Sequence, residues 1–318
     1  MPRLALTIGD PLGIGPEITA KSLVRLDSLP DDCAFDVIGS LDALMKAASD
    51  IGVTLPQGSR IAYHDITGEK PGDIAYRAIE HAVRQVRDGA AQAIVTGPIS
   101  KKHLYEAGHA FPGHTEILEH LAHTMSDAQD ARAEMLFVYK KFRLLLLTRH
   151  IALKDVPEAL AKSGAVARPL KILIQFLRHQ CGIDMPRIAL LGPNPHAGEI
   201  AGDEEKRLFM PVIHAVNAIG ASQLEGCFAA DAFFRDFDAG TTGYDAIVAP
   251  YHDQGLIPFK MVAGYEAVNV TIGLPFLRTS VGHGTAEDIA GKGVAREDSL
   301  MAAIKEALGL IGKNQATA

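Results

Sequence analysis

Short, almost wholly apolar runs alternate along this chain with longer stretches in which apolar residues recur every three or four positions. Arg3–Ile8, Ala34–Ile38, Ala93–Thr96, Arg187–Leu191, Asp245–Ala249 and Ala267–Ile272 are of the first kind and predict strands. Gly15–Leu26, Leu41–Ile51, Gly72–Arg87, Pro157–Gln180, Asp203–Ile219 and Asp298–Leu310 are of the second kind and predict helices. In Gly72–Arg87, Ile74, Ala78, Ile79, Ala82 and Val86 fall close to one face. Pro16 and Pro157 suit a first helical turn, and Pro169 is expected to bend its helix. Glu134–Tyr139 and Phe142–Thr148 read as paired strands around Lys140 and Lys141, a hairpin that breaks the alternation and points to a second subdomain. The repeating β-α order argues for a partly parallel α/β sheet with helices on both faces.

Composition narrows the class of protein. At 318 residues the chain suits two domains or one large one, and 47% hydrophobic with 22% charged residues is ordinary for a globular fold. Cys33, Cys181 and Cys227 are widely spaced and form no CxxC pair, so a reducing compartment is expected rather than a disulfide framework or structural zinc module. The net charge of −7 lacks the basic surplus of a nucleic-acid binder. No run approaches the roughly 18 apolar residues of a membrane span. Asp10 interrupts the N-terminal run before a signal-like core forms, so a cytoplasmic location is expected. A mean hydropathy of +0.10 suits a buried sheet or an oligomer with an apolar interface.

In open α/β sheets, ligands collect beyond the carboxyl ends of strands. Three histidines stand there: His150 after Leu144–Thr148, His196 after Ile188–Leu191 and His252 after Ala246–Ala249. Converging imidazoles can hold a divalent metal with positions open for substrate, while each histidine alone equally suits a capping or hydrogen-bonded loop role. Gly9, Gly13 and Gly15 form a turn between strand and helix, but their spacing is not GxGxxG. No phosphate loop of the GxxxxGK[ST] type and no GxSxG elbow is present. Thr115 and His114 open a predicted helix, where they either cap it or meet an anion. Arg278 lies among apolar residues and needs a partner, either a protein carboxylate or an anionic ligand. The small residues of His283–Gly293 allow close backbone approach to a ligand.

These segments carry a resemblance. GDPLGIGPE at 9–17, TGPISK at 96–101, FPGHTE at 111–116, NPHAGE at 194–199, YHDQG at 251–255 and LPFLRTSVGHGTAEDIAGKG at 274–293 resemble the 4-hydroxythreonine-4-phosphate dehydrogenase family of pyridoxal phosphate biosynthesis. The resemblance runs nearly end to end. It implies a three-layer α/β/α fold like that of isocitrate and isopropylmalate dehydrogenases, with two subdomains flanking a cleft. These are expected at 1–125 plus 285–318, and at 126–284 with the metal ligands and dimer contacts. It implies a metal site of His150, His196 and His252, and substrate contacts from His114, Thr115, Lys260, Asn269 and Arg278. The loop carrying His283, Gly284, Thr285, Ala286 and Asp288 is similar to the one that holds the adenosine end of NAD or NADP in that fold. A homodimer is implied, its active site completed by both chains at the subunit interface.

The implied reaction is metal-dependent, NAD(P)-linked oxidation of 4-phosphooxy-L-threonine to a β-keto acid, which decarboxylates to 3-amino-2-oxopropyl phosphate. Three imidazoles favour zinc, with magnesium or cobalt as alternatives. Lys260, Asp231 and Asp253 are the candidate groups for catalytic proton transfer. Two departures from the family pattern bear on substrate choice. Gly282 precedes His283 where the family commonly has Asp, and Gly226–Ala232 lacks the two prolines and the hydroxyl of GPxPADT. A relative acting on 4-phospho-threonate, 4-phospho-erythronate or an aromatic cis-dihydrodiol is therefore the alternative enzyme. A catalytically silent binding module is the alternative outside enzymes.

Overall fold

The computed structural model describes residues 1–30, 32–125, 128–235, 237 and 243–317, and leaves undescribed the side chains of 27 and 314–317. The chain divides into two compact units, 1–133 with 268–312, and 134–267 with the C-terminal residues from 313. The expected boundary at residue 126 lies outside the described residues. The observed division sets 268–284 in the first unit, where the sequence expectation had run the second through residue 284.

The first unit is built on a mixed sheet in the order β3-β2-β1-β4-β11-β10. Its strands are β1 (Arg3–Thr7), β2 (Ala34–Gly39), β3 (Ile61–Asp65), β4 (Ala93–Thr96), β10 (Val268–Ile272) and β11 (Leu277–Val281). All neighbours are parallel except β10 and β11. β2 and β4 are buried at every position, as apolar strands covered on both faces must be. The helices are α1 (Gly15–Leu23), α2 (Leu41–Asp50), α3 (Pro71–Arg87), α4 (Lys101–Glu106), α5 (His114–Ala122) and α11 (Asp298–Thr317). Ser40 and Ser100 accept the backbone N–H of Ala43 and His103, which caps α2 and α4. On one face, Ile79 and Ala82 of α3 and Ile117 and Leu121 of α5 pack with Ala5 and Ile94 of the sheet. Arg278 is in register with Ile94, so it faces the same way, while Thr279 turns to the other face and donates to the Ala303 carbonyl of α11 at 2.8 Å.

In the second unit the strand order is β5-β6-β9-β7-β8. Its strands are β5 (Glu134–Tyr139), β6 (Phe142–Leu146), β7 (Arg187–Leu191), β8 (Gln223–Phe228) and β9 (Ala246–Ala249). β5 and β6 are the expected antiparallel hairpin, with Lys140 left-handed (φ 54°) in its two-residue turn. β6, β9, β7 and β8 run parallel. The helices are α6 (Val156–Ala161), α7 (Ala167–His179), α8 (Met210–Ile219), α9 (Ala230–Arg235) and α10 (His252–Ala263). Phe142, Leu144, Ile247 and Phe259 centre the core. Among the described residues, no helix is long and apolar enough to cross a membrane.

Two predicted helices are interrupted. The stretch 157–180 splits into α6 and α7 around Gly164, which is left-handed at φ 76°. Pro169, expected to bend one helix, sits in the first turn of a new one, where its missing N–H leaves no bond unmade. The stretch 203–219 opens with a π-turn at Glu205–Phe209 before α8 begins.

Candidate active site

The loops after the strands of the first unit are locked together by glycines. A Cβ on Gly9 would stand 2.3 Å from the Pro98 carbonyl oxygen, and one on Gly15 2.2 Å from that of Ile8. Within this turn Asp10 is fully buried. Its carboxylate accepts from the Leu12 N–H at 2.9 Å and pairs with His103 Nδ1 at 2.8 Å. Nothing in the sequence marks His103, because its partner lies 93 residues away.

The same turn supports the cofactor-like loop. Ile14 N–H donates to the Thr285 carbonyl at 2.9 Å, and a Cβ on Gly13 would meet the Thr285 side chain at 2.9 Å. Buried Glu17 accepts the backbone N–H groups of Gly293 and Ala295, while Lys21 donates to both of their carbonyls and to Glu17. His283, Gly284 and Asp288 remain exposed, Thr285 and Ala286 half-buried, and Ala286 is left-handed at φ 41°. Asp288 caps no helix; the segment continues as turns held by Ile289 and Lys292 N–H groups. Arg296 beyond the loop pairs with Asp298.

Arg278 is the most unusual side chain of this unit. It is 1% exposed, and its guanidinium donates to the hydroxyls of Thr96 (2.6 and 3.2 Å) and Thr271 (2.9 Å), with no carboxylate ion pair among the described residues. Burial pushes its pKa down to about 9, which still leaves it cationic at neutral pH. Burial, and then the nearby Arg278 charge, hold His114 well below the usual histidine range, against a hydrogen bond with the Gly97 backbone. His114 Nε2 and Asn269 Oδ1 are buried without hydrogen-bond partners. Strand register puts Asn269 opposite Ser280 and Thr271 opposite Arg278. Thr115, half-buried, follows His114 in the first turn of α5. A desolvated cation beside unsatisfied polar atoms is an arrangement that an anionic, hydrogen-bonding ligand completes.

The second unit presents its histidines differently. Three adjacent parallel strands, β6, β9 and β7, end in the segments bearing His150, His252 and His196. The rings of His150 and His252 lie 5.7 Å apart and line a cavity of about 290 Å³ with Arg149, Tyr251 and Asp253. Asp253 holds His252 Nδ1 at 2.7 Å. His196 is exposed on a left-handed turn (φ 53°), and Ala197 repeats that conformation at φ 54°. The turn hangs on buried Glu205, which accepts from Asn194 N and Nδ2 at 2.9 Å. Among the described residues no three His, Cys, Asp or Glu side chains are gathered into a group that holds a metal as they stand. Asp231 is exposed at the start of α9, which packs on the His196 turn. Lys260 is exposed on α10, seven residues from Asp253 and so on the same helix face.

Two curated relatives and a solved structure that match this chain from end to end are dehydrogenases by name. 4-Hydroxythreonine-4-phosphate dehydrogenase of Synechocystis is 40% identical over 337 residues, which cover 98% of this chain and 96% of that one. D-threonate 4-phosphate dehydrogenase of Cupriavidus necator is 39% identical, with 96% of each chain covered. The solved structure of a 4-hydroxythreonine-4-phosphate dehydrogenase from Klebsiella pneumoniae matches with a TM-score of 0.82 at 34% identity, covering 98% of this chain and 99% of that chain. Fold and relatives together define an α/β dehydrogenase. The chain belongs to the PdxA family of pyridoxal phosphate biosynthetic proteins, whose sequence model matches residues 33–307.

Proposed function

We propose that the protein oxidises 4-phosphooxy-L-threonine with NAD or NADP to a β-keto acid that decarboxylates to 3-amino-2-oxopropyl phosphate. The observation that carries this reading is Arg278, a buried cation whose partners among the described residues are hydroxyls only, beside unpaired His114 Nε2 and Asn269 Oδ1. The substrate offers an anionic group for Arg278 and hydrogen-bond donors for Asn269 Oδ1. Thr115, at the N-terminus of α5, adds a hydroxyl and a helix end to the same anion subsite. Lys260 is assigned to a second anionic group of the substrate and, with Asp253 and Asp231, to proton transfer.

The donor set of His150, His196 and His252 fits a divalent ion: three imidazoles on neighbouring strand ends, two of them already facing each other. Zinc suits such donors best, with magnesium or cobalt the alternatives. When bound, the metal supplies Lewis acidity to the substrate oxygens and the nicotinamide supplies the hydride acceptor. The loop of His283, Gly284, Thr285, Ala286 and Asp288 is assigned to the adenosine end of that cofactor, braced from below by Glu17 and Lys21. A homodimer with the active site at the subunit interface, acting in the cytoplasm, completes the reading.

A second substrate, D-threonate 4-phosphate, is favoured by one fact: relatives of both names match this chain almost equally well. Gly282 and the Gly226–Ala232 segment, which depart from the family pattern, are the positions expected to decide between the two. The test is the initial rate of NAD or NADP reduction with each phosphorylated substrate, before and after chelation and re-addition of zinc, magnesium or cobalt. Metal-restored turnover of 4-phosphooxy-L-threonine supports the assignment. Turnover of D-threonate 4-phosphate alone replaces the substrate, and turnover that survives chelation overturns the metal site.

A further inference from the structure

Outside the candidate active site, α7 and α8 of the second unit border a half-open cavity of about 560 Å³. Ile174, Val212, Val216 and Ile219 form its apolar walls. Lys171, Arg178 and His179 stand along the α7 side, and no carboxylate lines it. None of these three basic residues makes an ion pair among the described residues. Ser222, 4% exposed, also lines the cavity, and its hydroxyl has no hydrogen-bond partner among the described residues.

The Ser222 segment is held in place by local chemistry. Gly220 ends α8 in the left-handed region at φ 71°, which turns the chain sharply back. The Asn217 side chain then accepts the Leu224 N–H and donates to the Leu224 carbonyl, both at 2.9 Å. Ser222 lies between these two anchors. A buried hydroxyl left unpaired is unfavourable unless something completes it.

We propose that this cavity binds an amphipathic organic anion: an apolar or aromatic body with one carboxylate-like head and a polar atom toward its far end. The walls take the body, the basic rim takes the head, and Ser222 takes the inner polar atom. The volume is that of a small-molecule site, and so is the balance of apolar lining with few polar groups. Charge favours this occupant over a second copy of the chain. In a two-fold contact the patch must complement itself, and this one carries three basic side chains and no carboxylate.

The probe is 8-anilinonaphthalene-1-sulfonate, which carries aromatic rings, an anionic head and an N–H group. We expect saturable binding at one site per chain, displaced by octanoate at least about tenfold more effectively than by octanol. Val216→Trp, which fills the cavity, and Arg178→Glu, which reverses the rim, should each weaken binding at least about tenfold with turnover retained. Ser222→Ala should weaken it about fivefold, the worth of one hydrogen bond. If Val216→Trp fails to fold, the surface change Arg178→Glu still decides the question. Absence of saturable binding, or binding indifferent to Arg178→Glu, overturns the proposal. Displacement of the probe by NAD or by the phosphorylated substrate does so too, because it places the probe elsewhere. A change in sedimentation mass in Val216→Trp also overturns it, because a second copy then covers the groove.

Discussion

Arg278 lies within β11, in register with Ile94 of β4, whereas His252 follows the carboxyl end of β9, and their surroundings are opposite. Arg278 is buried with its hydrogen bonds pointing at hydroxyls, and its neighbours His114 and Asn269 keep unpaired polar atoms. His252 is 41% exposed and its partner Asp253 more so. The first corner is already dehydrated, so its charge is held at a standing penalty that only an anion removes. The imidazoles stay hydrated, and dehydration is deferred until a ligand arrives. A buried cation with unpaired polar neighbours and a set of exposed imidazoles thus fall to different units of one chain.

The contrast is broken most directly at the histidines. His252→Ala is expected to lower turnover about 10³-fold, roughly 4 kcal/mol of barrier, with the far-UV circular dichroism and melting temperature unchanged. Exposed side chains contribute little to stability, so a cooperative unfolding defect in this variant would show that the pair is structural. Loss of stoichiometric zinc binding by calorimetry should accompany the loss of turnover.

Arg278→Met should behave in the opposite sense. Substrate KM is expected to rise about a hundredfold, because charge-assisted hydrogen bonds of roughly 2–3 kcal/mol are lost. The ligand-free protein should become more stable by about 1 kcal/mol, since an uncompensated buried charge is replaced by an apolar group of similar length. Chemical denaturation without ligand checks this; a large loss of stability would mean that the two threonine contacts satisfy the guanidinium. A smaller effect is expected at Gly13→Ala. Its Cβ would push on Thr285, so KM for the nicotinamide cofactor should rise about tenfold with kcat nearly constant.

Much of this contrast was legible in the sequence. Arg278 stood out because an arginine amid Leu274–Phe276 must find a partner, and the three histidines stood out because each follows a strand. Their environments were not legible. The Arg278 partner Thr96 is 182 residues away, and the Asp10–His103 pair spans 93. Such pairings depend on which strands adjoin, and β11 was itself hard to read: Leu277–Val281 is short, mixed in polarity and follows Leu274-Pro275-Phe276. β3 and β8 were missed for a related reason, being largely half-buried strands with weak apolar contrast. α10 was missed because Gly255 and Pro258 lie within it. The shallow helix breaks at Gly164 and at the Glu205–Phe209 π-turn are backbone choices that apolar periodicity does not register.

The mildest expected effect tests how dry the Arg278 corner is. His114 titrates well below the usual 6.5 in the folded protein, chiefly through burial and then through the Arg278 charge. Below about 6.5 the unfolded chain therefore binds a proton that the folded one refuses. Stability from this residue is complete above 6.5 and declines as pH falls, at up to about 1.4 kcal/mol per unit until the folded group titrates. Urea denaturation at pH 7.5 and 5.5 should show wild type losing about 1 kcal/mol more than His114→Asn, the difference cancelling the other histidines. Inorganic phosphate should shrink that gap, since an anion beside Arg278 favours protonated His114 and raises its pKa toward the ordinary value. A gap that phosphate leaves unchanged would mean that the anion sits elsewhere, and the assignment of this corner to the substrate would fall with it.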